Sequence, residues 1–291
     1  YLDLIREARR IAAGGPTLVV PSCKYHLPAP GESNWNVSEY EYTTQRLLRA
    51  WREAIPNSSG PMPLEKDFSP TLAGSDLSGA RPQILSWLRR IPELVSAAAR
   101  SADSHHIEPI PVRLGLKIFN ALFEDEFQVE MLRTIHQANR RPDYFVYGNR
   151  LFDPGREFDG HRGIAYGGPD LSRRNLRVMS RFQSEFAACP KLQSLPWSAT
   201  GNINSGKMAL EYALRGAGSF QLHTFFQLPG EVYSMKSGSK TRKALHELYF
   251  HPNTGLVVWL HHLAAALGLP TDPIRFRDCI GRGRELEDAP A

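Results

Sequence analysis

In the C-terminal half of the chain, small and hydroxylated residues have the composition of an anion cradle. One run is Thr200-Gly-Asn-Ile-Asn-Ser-Gly206, and Thr224 stands near the end of the apolar run that follows. Small residues at a strand end, directly before a helix, let backbone N–H groups approach a negative group, and the helix dipole favours negative charge there. The same residues suit an ordinary turn between strand and helix, so the pattern alone does not single out a ligand. Lys117 lies late in a strongly apolar run, and Asn149 follows Gly148 at the close of another. Ser69 opens a long loop of small residues, and Cys23 and His26 share an earlier one. Long loops after strands are usual seats of ligand chemistry. His26 also suits a plain solvated loop position, and the pair His105-His106 has no ligand-like partners nearby, so no metal site is expected.

These residues need elements that bring strand ends together. Apolar spacing predicts a helix over residues 2–13, with Leu2, Ile5, Ala8 and Ile11 inward and the arginines outward. A buried strand is expected at 17–21 and a loop over 22–37. Residues 38–54 form a predicted helix, with Ser38 as N-cap and Glu41 completing a capping box. A strand at 64–68 is weakened by Glu65, Lys66 and Asp67, and the loop 69–82 leads to a helix over 84–100, bent or restarted at Pro92. After a linker, strand 112–119, helix 124–138, strand 143–149, loop 150–168 and helix 171–187 are expected. Strand 195–199 precedes the glycine turn; Met208, Ala209, Tyr212, Ala213 and Leu214 recur at helical spacing, Gly216 and Gly218 stop that helix, and strand 220–226 follows. The tract 256–269, interrupted by His261 and His262, is too short to span a bilayer and suits a packed helix.

The order is one helix, five strand–helix units and a sixth strand. That alternation argues for a parallel sheet with helical crossovers, whose active residues lie at the C-terminal strand ends. Lys117, Asn149, Thr200 and Thr224 all fall there. The expected fold is an α/β (β/α)8 TIM barrel from which two strand–helix units are lacking. Because the chain opens inside a helix, those units, roughly 60 residues, are expected to lie in an N-terminal portion outside this sequence.

The chain has 291 residues, 42% hydrophobic and 22% charged, which suits one large core and a single domain over 1–291. The formal net charge is +5, but the basic residues are scattered, which favours solvated surface over a nucleic-acid footprint. Three cysteines, none in a C-x-x-C pair, fit a reducing, cytoplasmic compartment. No signal peptide is visible.

The chain resembles the dihydroorotate dehydrogenases, flavin enzymes on a (β/α)8 barrel, from its first helix to about Pro229 and again near Leu256. Thr200-Gly-Asn-Ile-Asn-Ser-Gly206 is similar to the family's Thr-Gly-Gly-Ile-x-x-Gly turn, Gly216-Ala-Gly218 to its Ala-Gly-Ala helix end, and Phe220-Gln-Leu-His-Thr-Phe225 to its Val-Gln-Ile-Gly-Thr-Ala strand. Tyr166-Gly-Gly-Pro-Asp-Leu-Ser-Arg-Arg-Asn-Leu176 resembles its glycine loop and next helix, and residues 112–118 the strand with a flavin-contacting lysine.

The resemblance implies FMN as cofactor, with Lys117 by the flavin ring, Gly167 and Gly168 approaching it, and Thr200, Gly201, Asn202, His223 and Thr224 around its phosphate. It implies Asn149 as a contact to a pyrimidine substrate and Ser69, before Pro70, as general base. The family's Asn-x-Ser-Ser/Cys-Pro-Asn motif departs here: Lys66 or Asp67 stands at one asparagine position and Thr71 at the other, making Asp67 and Thr71 candidate substrate contacts. Asn202 and His223 replace glycines, and 230–252 resembles an insertion before a C-terminal helix and tail over 253–291. The implied activity is oxidation of dihydroorotate or a related dihydropyrimidine, with a small-molecule substrate, an electron acceptor the residues do not identify and a homodimer left open. Two rivals are a barrel enzyme acting on a phosphorylated small molecule and an inactive barrel kept as a binding or scaffold protein.

Overall fold

The computed structural model describes residues 1–28, 32–56, 60–68, 77–103, 110–120, 123–167, 169–189 and 194–287. The chain divides into two compact units. The first is Tyr1–Phe145 with Pro154–Ile164, and the second is Val146–Asp153 with Ala165–Ala291.

In the first unit, α1 (Leu2–Ala12), β1 (Ser22–Cys23), α2 (Val37–Ala54), β2 (Met62–Asp67), α3 (Leu77–Asp103), β3 (Val112–Asn120) and α4 (Asp125–Gln137) alternate, and β4 (Tyr144–Phe158) begins. β1 pairs with β2 and β2 with β3, both parallel. Leu47, Leu48 and Trp51 of α2 and Trp87, Leu88 and Ile91 of α3 are buried, so the two helices share one apolar layer.

Several expectations are corrected here. The strand at 17–21 is absent: pairing begins only at Pro21, whose carbonyl accepts from the Glu65 N–H at 2.8 Å, and Leu18 is 70% exposed. Continued backwards, the pattern of that bond would have residues 63 and 61 donate to the Val19 and Thr17 carbonyls, and both of those donors are prolines. Neither proline has an N–H to donate, so the ladder cannot extend backwards. In α1 it is Arg9 that turns inward, its guanidinium 4.0 Å from the Trp51 ring, whereas Ile11 is 76% exposed. Burial lowers the Arg9 pKa, and the Trp51 face offers the cation a partner. The N-cap of α2 is Asn36, not Ser38; its side chain accepts from the Glu39 N–H. α3 begins before Pro82 and runs through Pro92, held by the buried residues Trp87, Ile91 and Val95.

The second unit holds the middle of β4 (residues 146–153), the end of β5 (His161–Tyr166), α5 (Pro169–Ala187), β6 (Trp197–Thr200), α6 (Gly206–Leu214), β7 (Ser219–Gln221), α7 (Thr224–Gln227), α8 (Lys240–Phe250), α9 (Leu256–Ala266) and α10 (Gly283–Glu287). β6 lies beside β4 and pairs parallel with β7, with Thr200 opposite Gln221. Leu210, Leu214, Leu263 and Cys279 form one apolar cluster and Phe225, Tyr233 and Ala244 another.

The expected loop over 150–168 is instead a hairpin of β4 and β5. Its turn is Asp159-Gly160, both left-handed at φ 51° and 74°, the backbone that a two-residue turn between twisted strands requires. The strand expected over 220–226 stops at Gln221, because its partner β6 ends at Thr200; Thr224 is helical instead. A closed eight-stranded ring is not formed among the described residues: β1 has β2 as its strand neighbour and β7 has β6. The fold class is therefore α/β with a largely parallel sheet, short of the full barrel. Among the described residues no helix is long and apolar enough to cross a membrane.

Candidate functional site

In the second unit, β6 and β7 end side by side, and the Thr200 hydroxyl donates to the Gln221 carbonyl at 3.2 Å. The turn beginning at Gly201 and the residues before Thr224 therefore leave adjacent parallel strands at matched positions. Gly201 is left-handed at φ 96°, and a Cβ there would lie 2.6 Å from the Gly148 carbonyl oxygen and 2.8 Å from Asn175 Nδ2. Asn202 is left-handed as well, at φ 54°, while its side-chain amide donates to Ser172 Oγ at 3.0 Å. Asparagine tolerates that backbone better than most residues. His223 is the exposed N-cap of α7 and Thr224 its exposed first residue.

The start of α6 differs from the anion site expected there. Its first amides are already taken: Lys207 N–H donates to the Thr254 carbonyl, Met208 N–H to Ser205 Oγ and Ala209 N–H to the Ser205 carbonyl. What the two turns offer is their own backbone and the Thr224 hydroxyl. No residue from 200 to 206 or from 222 to 224 is acidic.

Two residues that sequence reasoning did not single out hold this region. Asn175, fully buried on α5, directs its amide to the Gly148 carbonyl (3.1 Å), the Thr200 carbonyl (3.1 Å) and Tyr212 Oη (3.2 Å). Tyr212 on α6, also fully buried, donates to the Gly201 carbonyl at 2.9 Å, and burial raises its pKa. The signal was present: Asn175 interrupts the buried stripe Leu171, Val178, Met179 and Phe182, and a polar residue in such a stripe needs a partner.

Gly148 is left-handed at φ 90° within β4, and a Cβ there would collide with the Asn175 amide. Asn149 thus lies half-buried inside a strand that continues to Phe158, not at a strand end. Gly167 is exposed between β5 and α5, and Gly168 lies outside the described residues.

In the first unit the register sets the two candidates for the altered motif position, Lys66 and Asp67, on opposite faces of the sheet. Asp67 pairs with Lys117 and Glu65 with Gly115, so Glu65, Asp67 and Lys117 share one sheet face and Lys66 takes the other. Lys117 Nζ lies 3.4 Å from Glu65 Oε1, and Ser22 Oγ donates to the same oxygen at 3.1 Å. Burial pushes the Asp67 carboxyl above its ordinary pKa, and the Lys117 charge opposes that shift. Lys66 is 1% exposed, donates to the Asp67 carbonyl at 2.7 Å and faces the Phe68 ring; burial brings its pKa down to about 8. Burial pushes the Cys23 thiol up to about 12, far from a reactive thiolate. His26 is exposed; its N–H donates to Glu39 and its carbonyl accepts from Tyr40 Oη, a loop-holding role. Ser69 and Thr71 lie outside the described residues.

No family model and no curated protein matches the chain. Solved structures do. The crystal structure of DHODH in complex with ferulenol from Eimeria tenella aligns at a TM-score of 0.59 and 14% identity, over 99% of this chain and 67% of that one. The ligand-free type of DHODH from Eimeria tenella aligns at 0.52 and 14% identity, over 86% of this chain and 61% of that one. The chain thus spans about two thirds of the length of these structures. It has a dihydroorotate dehydrogenase-like fold at very low identity, in agreement with the resemblance read from its motifs.

Proposed function

We propose that this chain, on its dihydroorotate dehydrogenase-like fold, is an FMN-dependent oxidoreductase that oxidises dihydroorotate or a related dihydropyrimidine, as in pyrimidine biosynthesis. The observation that carries the reading is the pair of turns leaving β6 and β7 at matched positions within this fold. Their donor set fits a phosphate end: backbone N–H groups and the Thr224 hydroxyl, with no carboxylate in either run to repel it. Thr200, Gly201, Asn202, His223 and Thr224 would hold that end, and Gly167 and Gly168 would let backbone approach the ring. The absence of a G-x-G-x-x-G fingerprint after a strand favours FMN over FAD. In this reading residues 1–291 act as one domain, with 230–252 an insertion, in the cytoplasm.

The flavin, when bound, supplies the hydride acceptor; the protein supplies binding, orientation and electrostatics. Asn149 orients the substrate. Ser69 takes the proton from the substrate carbon next to the one that loses hydride, and its neighbourhood must exclude water for a hydroxyl to do so. Lys117 brings positive charge to the ring, moderated by Glu65. Asp67 and Thr71 contact the substrate, and Asp67, with its raised pKa, is more readily protonated than an ordinary aspartate.

One observation favours a second reading, an inactive barrel kept as a binding protein. Glu65 already neutralises Lys117, and a charged residue, Lys66 or Asp67, stands where the family motif has an asparagine. Rapid mixing of the flavin-loaded protein with dihydroorotate separates the two. The oxidoreductase reading predicts flavin bleaching, slowed about 10²–10⁴-fold in Ser69→Ala with flavin content unchanged. Bleaching equally fast in that variant removes Ser69 as the base, and no bleaching by any dihydropyrimidine supports the inactive barrel.

A further inference from the structure

We propose that the first unit carries a second binding site, for a small amphipathic anion: a molecule with an apolar body and one carboxylate or phosphate head. The site is a cavity of about 600 Å³ between the later part of α3, the start of β3 and the connection from α4 to β4. That volume lies within the roughly 300–1,000 Å³ of ordinary small-molecule pockets. It is separate from the chemistry above. Val112 to Leu114 open β3, whereas Lys117 lies toward the other end, and at about 3.3 Å per residue Val112 and Lys117 are roughly 17 Å apart. The inference does not depend on the proposed oxidoreductase activity.

The floor is apolar: Val95 and Ala99 from α3, with the buried Ile110 and Leu114. The rim is basic: among the described residues Arg100, Arg113, Arg140 and Arg141 line the cavity with a single acid, Asp143. Asp143 is committed locally. Its Oδ1 accepts from Arg113 at 2.9 Å and its Oδ2 from the Leu114 N–H at 2.9 Å. Arg100 spends one N–H on Ser96 Oγ, a neutral partner, which leaves its charge uncompensated by that bond. Arg140 is exposed beside Arg141, where the chain turns from α4 into β4.

A guanidinium presents five donors in a planar fork, and that fork matches the paired oxygens of a carboxylate or phosphate. An inorganic anion would use the rim but leave the floor wet, and a neutral apolar molecule would fill the floor but make no use of the basic rim. A molecule with both parts uses the whole cavity.

Calorimetric titration of the full chain with decanoate and with decyl phosphate, below their micelle ranges, tests the proposal. Decanol and inorganic phosphate serve as ligands that keep only one feature each. Both amphiphiles should bind at one site per chain, and both single-feature ligands at least about tenfold more weakly. Replacing Arg140→Ser together with Arg141→Ser, at the surface, should weaken the amphiphiles at least about tenfold and leave decanol unchanged. Val95→Trp, which fills the floor, should weaken every apolar ligand; circular dichroism confirms folding, and if that variant fails to fold, the arginine variant decides. The proposal is overturned if wild type binds neither amphiphile, if the arginine variant binds them as tightly, or if phosphate matches decyl phosphate. Cosedimentation with phosphatidylglycerol vesicles, dependent on the same arginines but without binding of the monomeric amphiphiles, would identify a lipid surface instead and equally overturn it.

Discussion

His136 shows how one buried group sets a pH limit. It is 5% exposed on α4, its Nδ1 lies 2.7 Å from the Leu132 carbonyl, and its ring meets Phe145 edge-on. Burial lowers its pKa from the ordinary 6.5 to about 4. The folded value lies below the unfolded one, so the neutral ring's contribution is present above about pH 6.5 and is lost as pH falls toward 4. Denaturant titrations across that window should show a loss of about 3 kcal/mol, which His136→Gln abolishes. The same slope in the variant would assign the acid limit to other groups. The Lys117–Glu65 pair gives a second test. Glu65 is 3% exposed, so Lys117→Met removes a partner from a buried carboxylate and should cost about 1–3 kcal/mol. Adding Glu65→Gln should restore much of that loss, and additive effects in the double-mutant cycle would mean that the two charges are not coupled. Gly201 makes a poor probe of ligand binding, because any side chain there strikes Gly148 and Asn175. The exposed Thr224 is the better one.

At the scale of elements, Asn175 and Tyr212 fasten α5 and α6 to the ends of β4 and β6. Asn175→Leu removes the amide donor from two carbonyls and from the Tyr212 hydroxyl, which keeps its own bond to Gly201, so chemical denaturation should report a loss of about 1–3 kcal/mol. Asn175→Asp, nearly the same shape but without the donors, should cost more, since an acceptor would then face the Gly148 and Thr200 carbonyls. Unchanged midpoints in both would mean that the strand ends are held some other way. Where apolar periodicity was strong, the elements were legible: β3, α4, α5 and α6 lie where their spacing places them. Where the deciding fact lay in a partner strand, they were not. The missing strand at 17–21 follows from Pro61 and Pro63 across the ladder, and the early end of β7 follows from the end of β6. The β4–β5 hairpin did have a local signal, Asp159-Gly160, which the glycines and charges around it obscured. For the candidate site, the turns were legible from their small residues; the Glu65 partner of Lys117 was not, because a charged run reads as a weak strand until the register buries it.

For the whole molecule, the central claim is that a dihydroorotate dehydrogenase-like fold, recognisable at 14% identity, is a flavin protein. Similarity of fold at that level carries no activity with it, which is why the claim rests on the turns after β6 and β7. The direct measurement is the visible spectrum of the purified chain after equilibration with FMN and gel filtration, with any released flavin identified by mass. The account predicts a yellow protein holding FMN. It also predicts that Thr224→Glu, which adds an acid where the phosphate end would sit, loses most of the flavin while its stability stays within about 0.5 kcal/mol of wild type. A folded wild-type chain that stays colourless under those conditions, or a Thr224→Glu variant that keeps its full complement of FMN, would contradict the account.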